Sequence, residues 1–139
     1  MPFPNQQSVM ATHEGLAPGL DALLRIGSMQ FTVNYYTKTA SYSVLPTESG
    51  SCFIANGAIT YTLPAVATSA GLVYWFVCMA DNTWAITAPA GTLVTDGNAA
   101  ATTATWSTAS HKIGGGAMVW CDGAKWYFMP FGPTTVTVS

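Results

Sequence analysis

From residue 29 onward, apolar and polar side chains alternate in short runs separated by turn residues. Phe31, Val33 and Tyr35 alternate with Thr32, Asn34 and Tyr36, and Ile59, Tyr61 and Leu63 alternate with Thr60 and Thr62, the two-residue period of a half-buried strand. Segment 72–79 is apolar at both parities, so it predicts a strand covered on both faces, one by the core and one by a sister subunit. Val73, Trp75, Val77 and Met79 are then the expected subunit-interface residues. Trp84-Ala85-Ile86-Thr87 follows an Asp81-Asn82 turn and predicts a hairpin with the preceding run. The clearest hairpin is Met118-Val119-Trp120-Cys121, then Asp122-Gly123, then Ala124-Lys125-Trp126-Tyr127-Phe128, because Asp-Gly suits the positive φ angles of a tight primed turn. Residues 134–138 read as one more strand, and the Ala/Thr-rich stretch 92–110 as a loop. About seven to nine strands without an internal helix predict an all-β fold, an antiparallel β-sandwich or small β-barrel, spanning 29–139. The repeat spacing of a solenoid or propeller is missing.

Residues 1–28 have no sustained strand pattern and carry Pro2, Pro4, Gly15, Pro18 and Gly19, so they read as an N-terminal arm. Within it, 18–27 predicts two helical turns with Asp21 early, Arg25 late and Gly27 as the stop. A helix this short is not stable alone, so its apolar side chains must dock. Phe3, Leu16, Leu20, Leu23, Leu24 and Ile26 are the expected anchors on a partner.

Charge changes the picture most. Ten of 139 residues are charged, 7% against about one quarter in an ordinary soluble domain. A folded chain of this size exposes on the order of 6,900 Å², which leaves about one charge per 700 Å², close to the ~800 Å² that one partner contributes to a standard interface. Whole contact-sized patches can therefore be free of charge, as interface cores are. The chain reads as built to be covered by neighbours. A net charge of −2 with only Arg25, Lys38, Lys112 and Lys125 basic offers no stripe for phosphates, so nucleic acid is not an expected partner. The start has no basic region before an apolar core, and the longest apolar run, 72–80, falls far short of the ~20 residues of a membrane helix. No membrane partner is expected, and the chain reads as made in the cytosol.

Candidate chemistry is sparse. Cys52, Cys78 and Cys121 are odd in number and widely spaced, giving no disulfide framework, and with His13 and His111 they form no short-spaced ligand pair, so no metal or other cofactor is expected. Asp81, Asp96 and Asp122 sit in turn contexts where a carboxylate bonds the local backbone. Cys121 and His111 are a conceivable nucleophile and base, but no spacing supports them, and no enzyme activity is expected. Gly114-Gly115-Gly116 lacks the order of a phosphate loop and reads as a flexible turn. Trp84, Trp120 and Trp126 sit at strand parity and read as core or subunit contact. Trp106, isolated among Thr, Ala and Ser, is the expected exposed ring, suited to stacking on a sugar or anchoring a protein.

Tyr42 to Ile54, with its Glu48-Ser49-Gly50 turn, then Ala58 to Ala65 with Leu63-Pro64, then Gly71 to Val77, and finally Asp122-Gly123-Ala124-Lys125-Trp126 in the last hairpin, resemble in order a β-sandwich module of tailed-bacteriophage virion proteins. The resemblance spans about residues 40 to 130 and is closest to small capsid decoration (cement) proteins. It implies a homotrimer on the capsid surface that binds the major capsid protein and stabilises contacts between its subunits, with no catalytic residue to carry over. The same resemblance leaves an alternative, a tail fibre, tailspike or appendage module that recognises a host receptor or glycan through 92–110 and Trp106.

Overall fold

The computed structural model describes residues 32–132 and 135–139. The anchors Phe3, Leu16, Leu20, Leu23, Leu24 and Ile26, the helix expected at 18–27, Phe31 and Thr134 lie outside the described residues. The described chain is all-β, a sandwich of two sheets, and its strands are Tyr35–Lys38 (β1), Tyr42–Ser43 (β2), Cys52–Ala55 (β3), Thr60–Thr62 (β4), Val73–Cys78 (β5) and Trp84–Thr87 (β6). They continue with Leu93–Thr95 (β7), Asn98–Ala101 (β8), Thr103–Trp106 (β9), Gly116–Cys121 (β10), Trp126–Phe131 (β11) and Thr137–Val138 (β12). The seven-stranded sheet runs β1-β3-β5-β10-β11-β7-β8 and the five-stranded sheet β12-β9-β6-β4-β2.

The sandwich fits the expected class, but its sheets are mixed rather than antiparallel. β1, β3 and β5 are parallel neighbours in one sheet, and β2, β4 and β6 are parallel neighbours in the other. The first six strands thus alternate between layers as the backbone winds around the core, and the rest of the chain closes it with antiparallel pairs and one parallel pair, β11 with β7. This winding leaves no trace as a sequence repeat because successive turns differ in length: Tyr35 aligns with Cys52 and Cys52 with Trp75. It also corrects the hairpin expected between β5 and β6, since residues 79–83 carry the chain from one sheet to the other.

The core is aromatic. Phe53 lies against the rings of Tyr36, Tyr42, Tyr61, Tyr74 and Phe76, with centroids 5.5–6.2 Å apart. Alternation in β4 holds as expected, with Ile59, Tyr61 and Leu63 buried. In β1 it is reversed. Parallel pairing with β3 puts Tyr36 on the side of Phe53 and leaves Tyr35 69% exposed.

Residues 92–110, expected to loop out, contain β7, β8 and β9. Small Ala and Thr side chains there allow close layer packing, with Ala101, Ala104 and Trp106 buried. The triple glycine is no loose turn either. Gly114 has φ +78°, a Cβ on Gly115 would sit 2.9 Å from the Trp106 ring, and a Cβ on Gly116 would strike the Phe76 carbonyl oxygen. Gly116 already belongs to β10, where the Phe131 ring occupies the space a side chain would need.

The expected β10–β11 hairpin is present, with Cys121 opposite Trp126. Its central residues are Gly123 and Ala124 rather than Asp122 and Gly123. The Asp122 carboxylate takes the place of a backbone acceptor, receiving the N–H groups of Ala124 and Lys125, both at 2.8 Å, and Gly123 supplies the positive φ of +96°.

Candidate interaction surface

Strand register assigns every side chain of the seven-stranded sheet to the core or to the outer face. In β5 the core side carries Tyr74, Phe76 and Cys78, all buried, while Val73, Trp75 and Val77 point outward and are half-buried. Met79 continues the outward row just past the strand and is exposed. Beside them in β3 stand Cys52 and Ile54, paired with Trp75 and Val77. On the other side β10 brings Met118 opposite Trp75 and Trp120 opposite Val73. β11 extends the row with Met129 opposite Met118, Tyr127 opposite Trp120 and Phe131 opposite Gly116, and β7 ends it with Val94 opposite Tyr127.

The four interface residues expected from sequence therefore share one face, but as the centre of a wider field. Trp120, Met129 and Phe131, 41–43% exposed, are its most exposed large side chains on β10 and β11. Trp120 and Tyr127 pack ring to ring at 5.3 Å, which holds both side chains in place. Met118, Tyr127 and Met129 are not singled out by the sequence, and Trp120 is left between core and subunit contact, because β10 is apolar at both parities, so Ala117, Val119 and Cys121 on the inside cannot be told by composition from Met118 and Trp120 on the outside. Trp84 and Trp126 are core, as one of their two expected placements allowed.

Trp106 is a correction. It is 0% exposed, and its ring lies on Trp84 at 4.0 Å with an interplanar angle of 8°. The reason is its register in β9: Trp106 is paired with Trp84 across the five-stranded sheet, and both face inward. No recognition role remains for it on the surface.

The outer face of the five-stranded sheet differs in kind. Register places Ser43, Thr60, Thr62, Thr87, Thr103, Thr105 and Thr137 there around Ala85. Thr87 and Thr103 are hydrogen-bonded through their hydroxyls at 3.1 Å. Small hydroxyl side chains fit a solvated surface.

Neither face carries a charge. Among the described residues, Lys38 is the one charged side chain within a strand; its parity is inward, and its ammonium lies 3.6 Å from the centre of the Tyr42 ring. Tyr42 in turn donates to a Glu48 carboxylate oxygen at 2.7 Å, and this hydrogen bond is the main reason its phenol titrates above the ordinary range. The remaining charges sit in connections: Lys112 pairs with Asp81 at 3.6 Å, and Lys125 donates to the Gly91 carbonyl at 2.6 Å.

Titratable groups elsewhere are turned to structure. Burial pushes the thiols of Cys52, Cys78 and Cys121 up, which keeps them protonated at neutral pH. Cys121 is fully buried and receives the Gly123 N–H at its sulfur, whereas His111 is exposed. Among the described residues no group of three or more His, Cys, Asp or Glu is placed to hold a metal ion, and no helix is long and apolar enough to cross a membrane. An open cleft of about 240 Å³ between the layers is lined by Thr95, Asp96, Phe128, Pro130, Val136 and Val138, with Asp96 its single ionisable group. No protein-family model matches the chain, and no curated protein matches it.

Proposed function

We propose that this chain is a structural protein of a tailed-phage virion, a capsid decoration protein. It sits on the outer surface of the head as a homotrimer and stabilises contacts between major capsid subunits. The observation that carries the reading is the apolar outer face of the seven-stranded sheet, which among the described residues has no charged side chain in its strands. A surface of this kind is costly to leave in water and suits a molecule whose neighbours cover it. One trimer touching several shell subunits gains avidity, because separating them requires several contacts to break together. Residues 1–28 are proposed as the arm that binds the capsid. In this reading the protein binds and performs no chemistry, and it uses no cofactor, membrane or nucleic acid. The appendage alternative loses its recognition residue with the burial of Trp106.

Quantitative gel densitometry and imaging of purified particles test the proposal. Hundreds of copies distributed over the shell are expected; a few copies confined to the tail, or none in the particle, would overturn it.

A further inference from the structure

We infer that the outer face of the seven-stranded sheet is the surface by which copies of this chain pack on one another, with Trp120 at its energetic centre. The inference rests on the decoration reading in one respect, that the neighbour is another copy rather than a foreign protein. Its geometric basis is independent of the particle.

Size comes first. Six strands, β1, β3, β5, β10, β11 and β7, of three to six residues each and spaced about 4.8 Å, present roughly 29 Å by 16 Å. That is on the order of 460 Å² per copy in projection, and two such faces together reach about 900 Å², above most packing contacts and in the range of weak association. An apolar patch of this size is among the largest a monomer exposes, and such patches are often functional.

Chemistry then selects the occupant. Ile54, Trp75, Met118, Trp120, Tyr127 and Met129 form a face without a charged side chain, by register across β3, β5, β10 and β11. A partner with ordinary surface charge would have to bury ions against it with only Asp122, which accepts the Tyr127 hydroxyl at the edge of the face, as a counter-ion, a costly step. A second copy of the same face brings none. With a net charge of −2 per chain, repulsion between copies is also small. A field of Trp, Met and Tyr depleted of charge is the composition of an interface core, and Trp is a frequent hot spot. Having few directional polar groups, the face can meet its own copy about a twofold axis, or seat on a neighbouring surface of the next copy about the threefold axis of a homotrimer. The threonine-covered face of the other sheet satisfies its hydroxyls locally and in water, and it serves as the internal control.

The test is sedimentation equilibrium of the full chain at micromolar to submillimolar concentrations. Self-association is expected, weakened about tenfold or more by Trp120→Glu, the loss typical of a hot-spot change. Because Trp120 lies outside the core, the variant should keep the near-ultraviolet circular dichroism that the stacked Trp84 and Trp106 produce. Met129→Lys provides a second variant on the same face, and Thr62→Lys on the opposite sheet should leave association unchanged. The half-buried Cys52 is a reporter: its alkylation should slow as concentration rises. A full chain that stays monomeric throughout would overturn the inference. Undiminished association of both Trp120→Glu and Met129→Lys would overturn it as well. Neither result alters the copy number in particles, so failure here and failure of the decoration reading are distinguishable.

Discussion

Single side chains show where a sequence pattern has two solutions and packing selects one. Trp106 stands among Thr, Ala and Ser, and that context alone suggested exposure; its partner Trp84 is 22 residues earlier, and only the β6–β9 pairing brings the rings together. Trp106→Ala should therefore act on stability, lowering it by about 3–5 kcal/mol in chemical denaturation, as expected for removal of a buried Trp. Loss of a surface-binding activity with full stability would contradict this placement. Two buried phenols make a matched pair. Tyr74 donates to the Leu45 carbonyl at 2.9 Å, and burial, with Glu48 a lesser cause, pushes its phenol up to about 12. The hydroxyl of Tyr61 is buried with no hydrogen-bond partner, and burial raises its phenol too. Tyr74→Phe should cost about 1 kcal/mol, whereas Tyr61→Phe, which removes an unsatisfied polar group, should be neutral or stabilising. Thermal melts of the two variants side by side will show whether their order is as stated.

At the scale of elements, the last hairpin was the most legible part of the chain, because Asp-Gly between apolar runs has a local mechanism. Its turn lies one residue later than expected, so that Cys121 pairs with Trp126 rather than with Ala124, for a reason visible at Asp122. The bonds from Ala124 and Lys125, with a further bond from the Tyr127 hydroxyl at 3.0 Å, hold this carboxyl below its ordinary pKa of 3.8. The folded state therefore releases its proton more readily than the unfolded one. The contribution is complete above pH 3.8 and is lost as pH falls through the lower folded value. Asp122→Asn, which keeps an oxygen acceptor but cannot titrate there, should show a shallower decline of melting temperature with acid than the parent protein. Equal declines would remove Asp122 from the account of acid stability. Other elements were hidden for physical reasons. β8 and β9 are built mostly from Ala and Thr, whose weak polarity contrast gives little alternation, β7 is only the three residues Leu93–Thr95, and β10 and β5 are apolar on both faces.

For the whole molecule, fold class was readable from turn spacing and strand composition, while layer assignment was not. Alternation tells a residue which side of its own strand it occupies, but nothing in β5 and β6 says that they lie in different sheets. The interaction surface was legible in part for the same reason: Val73, Trp75, Val77 and Met79 follow from one strand, whereas Met118, Trp120, Tyr127 and Met129 need the partners of that strand. The order of those partners also sets a timetable. β5 is flanked by β3, made earlier, and by β10, which begins only at Gly116. At a synthesis rate of about 5–20 residues per second, some 40 residues separate the end of β5 from the end of β10, an interval of roughly 2 to 8 s. For that time the most apolar strand in the chain has one edge open, and the sheet that bears the interaction surface cannot be completed. Packing of one copy on another through this face is thereby kept behind translation, since a chain cut short would lack the half of the surface that β10 and β11 supply.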